Sequence, residues 1–209
     1  MKLYVEGGGD SNMLKTACRA GFSDFLSKAG LKGKMPRIVA CGSRQNAYDS
    51  FCTAINTGED ALLLVDSESS VSADCQQGDA ENWKPWHHLK NRQGDQWDKP
   101  ENASDAGCHL MVQCMEAWFL ADRTTLQDFF GQGFNTNALP PEGNQIEAIA
   151  KEQIYQVLSA ATRNCKTKAK YGKGEHSFKL LALISPDRVT AVSLWAKRFI
   201  DVTKEKMGC

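Results

Sequence analysis

The chain has 209 residues, 42% of them hydrophobic, and its 25 Lys plus Arg balance its 25 Asp plus Glu. This hydrophobic content is enough for a core and excludes global disorder, and the length fits one domain with room for an inserted subdomain. The formal net charge of zero excludes a globally basic nucleic-acid-binding protein, and the apolar run at residues 61–65 is too short to cross a bilayer.

The eight cysteines are irregularly spaced and form no C-x-x-C pair. The first residues contain no apolar signal-peptide region, so we expect a reducing cytoplasmic location, with most thiols buried as small hydrophobic groups, and no membrane partner. A zinc site is disfavoured because no closed tetrahedral spacing is present. The residues considered for zinc are His87, His88, Cys108, His109 and Cys114.

The first 68 residues predict strands that alternate with helices. Three glycines at residues 7–9 end the first strand, and apolar residues at spacings of three and four then predict a helix. The third strand is apolar at every position, which is typical of a buried parallel strand. The predicted order is strand, helix, strand, helix, strand, at residues 2–5, 11–29, 37–41, 43–57 and 61–65.

The rest of the chain predicts a polar insertion, one more strand and a helical end. Together these patterns predict an α/β protein, in which a parallel sheet of about four strands is flanked by helices. We expect residues 1–130 to form the core with an insertion at 69–107, and residues 131–209 to form a helical part packed on it. The later predicted elements are a strand at 109–115, helices at 117–130, 145–163 and 178–184, loops at 131–144 and 166–174, and a last helix that Pro186 begins.

The polar insertion contains three tryptophans, Trp83, Trp86 and Trp97. We expect them to anchor the insertion to the domain or to a partner protein, the alternative being that they stack on unpaired bases. Trp118 and Trp195 lie in apolar helical patterns and are predicted to be in the core.

Carboxylates stand at the ends of three predicted parallel strands. Glu6 ends the first strand, Asp66 and Glu68 follow the third, and Glu116 follows the fourth. Ligands of open α/β sheets bind at the carboxyl edge, where these side chains would meet. Two charges about 4 Å apart repel by roughly 4 kcal/mol at an effective dielectric near 20, so the cluster needs protons or a cation. Oxygen ligands favour Mg²⁺ or Mn²⁺ and the chemistry of phosphodiesters.

Each acid also has an ordinary structural explanation. Glu6 could begin a turn, Asp66 could cap a helix, and Glu116 could favour a helix dipole. The metal hypothesis requires the acids to face one another. It fails if Glu6 points away from Asp66 and Glu68, or if these groups are buried against fixed arginine or lysine partners.

Four stretches carry a resemblance to a known family. The E-G-G-G-D of residues 6–10 and the D-S-E of residues 66–68 resemble the TOPRIM domain of topoisomerases, primases and OLD-family nucleases. That domain has a Glu in its first motif and D-x-D in its second. The whole chain is similar to a bacterial family of TOPRIM-like proteins, often encoded beside an AAA or ABC-type ATPase in apparent anti-phage defence loci. The stretches are residues 5–10 (V-E-G-G-G-D), 64–68 (L-V-D-S-E), 113–119 (Q-C-M-E-A-W-F) and 174–177 (G-E-H-S).

The resemblance implies a metal-dependent nuclease that works with an ATPase subunit on DNA or RNA. Glu6 would then be a general acid/base or metal ligand, and Asp66 and Glu68 would hold Mg²⁺. Glu68 departs from the second Asp of the family, and its longer side chain makes two-metal geometry doubtful. Lys173 or Lys179 could be the later lysine that many such nucleases use.

Substrate contacts are expected from the glycine turn and from a basic loop. The loop could neutralise phosphates, although a run of charges is usually a solvated surface, and His176 beside it could contact a phosphate or merely cap a helix. The residues expected at the substrate are Gly7, Gly8, Lys168, Lys170, Lys173 and His176. The alternative functions are a non-catalytic TOPRIM-like binding or regulatory subunit of an ATPase complex, and phosphoryl transfer on a nucleotide.

Overall fold

The computed structural model describes residues 1–143 and 145–209, and a parallel sheet of four strands lies at its centre. The strand order is β2-β1-β3-β4, and every neighbouring pair is parallel. The strands are β1 (Lys2–Gly8), β2 (Arg37–Gly42), β3 (Ala61–Asp66) and β4 (Cys108–Met111). All six residues of β3 are buried because it lies inside the sheet with both faces covered. The predicted α/β class is confirmed.

Helices cover the sheet and form the C-terminal part. Side chains of Ser11, Ser43 and Asp122 each accept a hydrogen bond from the helix that follows, so polar caps set these starts. The helices are α1 (Asn12–Leu26), α2 (Arg44–Asn56), α3 (Pro85–Asn91), α4 (Arg123–Phe130), α5 (Lys151–Thr162), α6 (Lys173–Leu183), α7 (Pro186–Val192) and α8 (Leu194–Met207). None of the described helices has the length and apolarity that a membrane span requires.

The two faces of the sheet bury different cores. Along β1, Leu3 and Val5 belong to one core, whereas Tyr4 belongs to the other, because successive side chains in a strand point to opposite faces. The first core continues without a break into α5 to α8, and the second contains the aromatic side chains of the insertion.

The insertion is ordered around its tryptophans. It contains α3 and short 3₁₀ turns, and Trp83, Trp86 and Trp97 are 5%, 3% and 5% exposed. Their rings therefore anchor the insertion to the domain and are not open to a base. Trp118 and Trp195 are buried in the cores, as predicted.

The region after β3 departs from the predicted boundaries. Strand β4 ends at Met111 rather than at 115, and Met115–Ala121 is a 3₁₀ helix that precedes α4. The Met115 N–H donates to Asp66 Oδ1 at 2.9 Å, which draws the chain towards the end of β3 instead of continuing the strand. A side-chain acceptor from a distant residue thus overrides the local β pattern.

The helices of the C-terminal part also begin at other residues than predicted. The predicted helix at 145–163 is a 3₁₀ turn at Ile146–Ala148 followed by α5, and α6 begins at Lys173 rather than at 178. Pro186 begins α7, and Ser193 separates it from a further helix, α8. The predicted loop at 131–144 contains a 3₁₀ turn at Thr136–Ala138, and its last residue, Asn144, lies outside the described residues.

Arg198 of α8 ties the insertion to the sheet. Its side chain is buried and donates to the carbonyl oxygens of Ala80, Asp105 and Cys108 at 2.7 to 2.9 Å. The insertion, β4 and α8 are therefore joined through one guanidinium group.

We predict that Arg198→Met lowers the free energy of unfolding by roughly 3–5 kcal/mol, because three buried carbonyls lose their charged donor. Chemical denaturation monitored by tryptophan fluorescence measures the change. Lys197→Met, on the solvent side of the same helix, should leave stability within about 0.5 kcal/mol of the wild type. Equal stability of the two variants would contradict the role given to Arg198.

The burial of His109 makes its contribution to the free energy of unfolding depend on pH. Burial, and then the nearby Arg198, lower the pKa of His109 well below its usual 6.5. The unfolded chain therefore binds a proton at this position that the folded chain does not, and the contribution of His109 to stability falls as pH decreases below about 6.5.

We expect His109→Asn, which keeps an acceptor for Arg198, to reduce the loss of stability between about pH 7 and about pH 5 by up to about 2 kcal/mol. Denaturant unfolding at both pH values measures it. His88, whose pKa burial also lowers, remains in both proteins. An unchanged pH dependence would show that His109 is not the responsible group.

Candidate metal centre and its cavity

Three carboxylates converge at the carboxyl edge of the sheet. Glu6 lies near the end of β1, Asp66 ends the neighbouring β3, and Glu68 is two residues further. One oxygen from each lies within 4.8 Å of the others, so these three residues could hold a metal ion. The juxtaposition expected from the parallel topology is present.

Backbone contacts fix the orientation of these acids. The Asp66 N–H donates to Glu6 Oε2 at 3.1 Å, and the Met115 N–H donates to the Oδ1 atom of Asp66. Glu68 has a φ of +66°, a left-handed conformation that costs a non-glycine residue of order 1–3 kcal/mol. The Glu68 N–H donates to the Gln113 carbonyl at 2.8 Å, which holds the turn and leaves the carboxylate beside Asp66.

Two cations accompany the acids. Lys151 Nζ lies 2.6 Å from Glu68 Oε1 and 3.4 Å from Asp66 Oδ2, and Arg44 Nη1 lies 3.0 Å from Glu6 Oε2. Arg44 also forms a bidentate pair with Asp95. Arginine and lysine partners of the kind that would overturn the metal hypothesis are thus present, but these two cations and the two glutamates are half-buried, with side chains 16–19% exposed. Because Arg44 is shared with Asp95, the three carboxyl groups of the cluster outnumber the cations available to them.

The cluster disfavours its own ionisation. Burial raises the pKa of Asp66 to about 8, and the nearby Glu6 and Glu116 add to the shift against the opposing effect of Lys151. Burial also raises the pKa of Glu6, although Arg44 opposes it. A buried carboxylate with a raised pKa gains from any added positive charge, so these groups favour a proton or a cation at this edge.

An open cavity of about 350 Å³ adjoins the acids. Its lining combines Glu6, Asp66 and Glu116 with apolar side chains and the glycine turn. A Cβ at Gly8 would lie 2.8 Å from Lys15 Cα, so only glycine lets the turn pack closely on α1. The further lining residues are Gly7, Gly8, Gly9, Leu14, Gly42, Met111, Met115, Lys173, Gly174 and Phe178.

Glu116 lies beside the three-acid cluster and has separate partners. It is fully buried and accepts hydrogen bonds from Tyr155 at 3.0 Å, Ser177 at 3.1 Å and Tyr171 at 3.3 Å. Lys173 Nζ lies 3.9 Å from its Oε1. Glu116 is therefore a carboxylate whose position is fixed by hydroxyl groups at the wall of the cavity.

The predicted substrate lysines lie in different places. Lys173 lines the cavity, and its side chain is 58% exposed. Lys168 Nζ lies 4.7 Å from the centre of the Phe129 ring, and Lys170 is exposed on the loop. Neither Lys168 nor Lys170 lines the cavity.

His176 is not brought to the cavity. It is 2% exposed, its Nδ1 accepts the Gly172 N–H at 3.0 Å, and its ring packs against Phe130. It therefore caps the start of α6, which was the alternative to a phosphate contact. Gly7 and Gly8 do line the cavity.

Sequence reasoning missed the two cations and the tyrosines. Arg44 begins α2 and Lys151 begins α5, far along the chain from the acids that they contact. No motif or spacing in the sequence marks them. The one signal was charge, since a buried group of carboxylates requires compensating cations.

Fold and site together define an α/β protein with an acidic centre at the carboxyl edge of a parallel sheet. Residues 5–202 match the family model described as "Domain of unknown function (DUF4276)", and the chain belongs to this family. No curated protein and no solved structure matches the chain.

We predict that Lys151→Met binds Mn²⁺ at least about tenfold more tightly than the wild type, because a competing ammonium is removed from Asp66 and Glu68. Isothermal titration calorimetry measures the affinity. Lys32→Met removes one positive charge from an exposed position and should bind Mn²⁺ as the wild type does. Identical affinity of the two variants would show that Lys151 does not compete with a cation.

Proposed function

We propose that this protein is a metal-dependent nuclease of TOPRIM type, which hydrolyses phosphodiesters of DNA or RNA. The observation that carries the proposal is the convergence of Glu6, Asp66 and Glu68, the first two of which line an open cavity. An anionic cluster at the carboxyl edge of a parallel sheet is a typical place for ligand binding and chemistry.

The ligand set supports Mg²⁺ or Mn²⁺. Each of the three side chains offers a hard carboxylate oxygen, and no cysteine or histidine belongs to the cluster found among the described residues. A bound divalent ion would polarise a phosphoryl oxygen and lower the pKa of a coordinated water. Glu6, Asp66 and Glu68 would hold that ion.

Other residues of the cavity suit a phosphodiester. Lys173, at the wall, can neutralise a phosphate oxygen with its exposed ammonium group. Gly7 and Gly8 line the cavity, so a nucleic-acid strand that enters it would pass along the glycine turn. Glu116, held by hydroxyl groups, can orient a water or accept a proton beside the cluster.

The charge balance of the chain suggests that a partner contributes to substrate binding. The formal net charge is zero, so charge alone supplies little affinity for nucleic acid. From the resemblance to a TOPRIM-like family often encoded beside ATPases, we propose that an AAA or ABC-type ATPase subunit brings the substrate to this chain, in the setting of anti-phage defence in the cytoplasm.

We expect Mn²⁺-dependent cleavage of plasmid DNA or RNA by the chain with its ATPase partner. Glu6→Gln and Asp66→Asn should each lower the cleavage rate by at least about 100-fold, because they remove charged ligands while retaining shape. Gel assays of the products measure the rate. Glu142→Gln, an exposed acid outside the cluster, is the matched control and should cleave normally. Full activity of both cluster variants would overturn the proposed site.

A second function is favoured by the internal cations. Arg44 and Lys151 already neutralise part of the cluster, which suits a non-catalytic regulatory subunit of an ATPase complex. Such a subunit would bind its ATPase, and titration with Mn²⁺ in the calorimeter would give no heat of binding. Measurable Mn²⁺ binding, lost in Asp66→Asn, would exclude this alternative.

A further inference from the structure

We infer that Asp95 of the insertion is a positioning residue that sets the metal affinity of the acidic centre through Arg44. The inference rests on the proposed metal site and adds a specific role for the insertion. Asp95 does not contact the three acids. It acts on them through the guanidinium group that lies between.

Asp95 takes two of the three nitrogen atoms of the Arg44 guanidinium. Arg44 Nε lies 3.0 Å from Oδ1, and Nη2 lies 2.6 Å from Oδ2, which is the bidentate geometry that orients an arginine most firmly. The Asp95 side chain is 2% exposed, so little water weakens this pair. Only Nη1 is left for the acidic centre, where it contacts Glu6 Oε2 and the Asp66 carbonyl oxygen.

The insertion holds Asp95 in place from several sides. Arg92 Nη1 lies 2.9 Å from Asp95 Oδ2, and the Arg44 guanidinium lies 5.1 Å from the centre of the Trp97 ring. The Trp97 ring stacks on Tyr48 of α2 at 4.6 Å, and its N–H donates to Gln45 of α2. This part of the insertion is therefore fixed on the first turns of α2, where Arg44 begins the helix.

The insertion also reaches the metal-ligand turn directly. A ring nitrogen of His88 lies 2.9 Å from the carbonyl oxygen of Ser67, the residue between Asp66 and Glu68. His88 and Ser67 are both buried. The insertion therefore contacts the acidic centre at two separate points, and its contacts are part of the geometry of the site.

Charge determines the direction of the effect. Asp95 neutralises much of the Arg44 charge, so Glu6 and the more distant Glu68, 3.8 Å away, keep their attraction for an incoming cation. Without the Asp95 carboxylate, the whole charge of Arg44 faces these acids and competes with a metal ion. Loss of the Asp95 carboxylate must therefore weaken metal binding, although Asp95 is not a ligand.

The test is Mn²⁺ titration of the full-length chain by calorimetry, with circular dichroism as a check on folding. Asp95→Asn keeps the shape of the side chain and removes its charge. We expect its Kd for Mn²⁺ to rise by at least about fivefold. Asp98→Asn makes the same change of charge three residues away, at a side chain that is 79% exposed and paired with Lys90. It should bind Mn²⁺ as the wild type does.

Two further variants separate positioning from a merely structural role. Arg92→Met frees Asp95 for Arg44 and should tighten Mn²⁺ binding, with Lys90→Met as its charge-matched control. If Asp95→Asn does not fold, the Mn²⁺ affinity of Arg92→Met tests the role of Asp95 instead. In an Arg44→Met background, Asp95→Asn should have no further effect on Kd, because the mediating group is gone.

The outcomes distinguish this inference from the proposed function. If the wild type binds Mn²⁺ and Asp95→Asn binds it equally well, the role of Asp95 is overturned and the metal site stands. An undiminished effect of Asp95→Asn in the Arg44→Met background also overturns it. If the wild type binds no Mn²⁺, the metal site fails, and the role of Asp95 fails with it.

Discussion

The mutual repulsion of three closely spaced carboxylates, one buried and two half-buried, is the constraint on which the rest of this structure depends. Glu6, Asp66 and Glu68 meet at one edge of the sheet because β1 and β3 are parallel neighbours. Water can screen them only weakly there, so the fold must supply compensating charge. Arg44 and Lys151 supply this charge. Each lies in the first turn of a helix, α2 or α5, that is separate from the strands that carry the acids.

This constraint links parts of the chain that are distant in sequence. Lys151 couples the C-terminal helices to the end of β3, and Arg44 couples the same edge to the insertion through Asp95. The acids, their cations and the Asp95 carboxylate thus form one network around the edge of the sheet. The insertion contributes to the electrostatics of the centre as well as covering one face of the sheet, where its tryptophans are buried.

The charge balance bears on both functions considered for the protein. A cluster with partial internal neutralisation is stable without an ion, yet its excess of carboxylates and the raised pKa of Asp66 favour a further positive charge. A nuclease would use that site for a divalent ion, and a regulatory subunit would keep it closed by Lys151. The cavity beside Glu6 and Asp66 gives the first function the greater support, because it offers a substrate access to the acids.

Much of the architecture could be predicted from local pattern. The apolar run of β3 and the glycines after Glu6 are short-range signals, and they predicted the βαβαβ half correctly. Because β1 and β3 are parallel neighbours, their carboxyl ends lie at the same edge of the sheet, which brings Glu6 and Asp66 together. The local pattern failed after Asp66, where β4 is cut short and 3₁₀ helices replace the predicted regular elements.

The sequence by itself determined the fold class and the three acids, since both follow from residue types at spacings within single elements. Only the tertiary structure decided that Arg44 and Lys151 neutralise those acids, that Glu116 is held by two tyrosines, and that His176 caps a helix. Except for the local cap of His176 on Gly172, these partners lie on separate elements, tens of residues from the groups that they contact. Their meeting depends on how helices pack on the sheet, and no spacing along the chain encodes that packing.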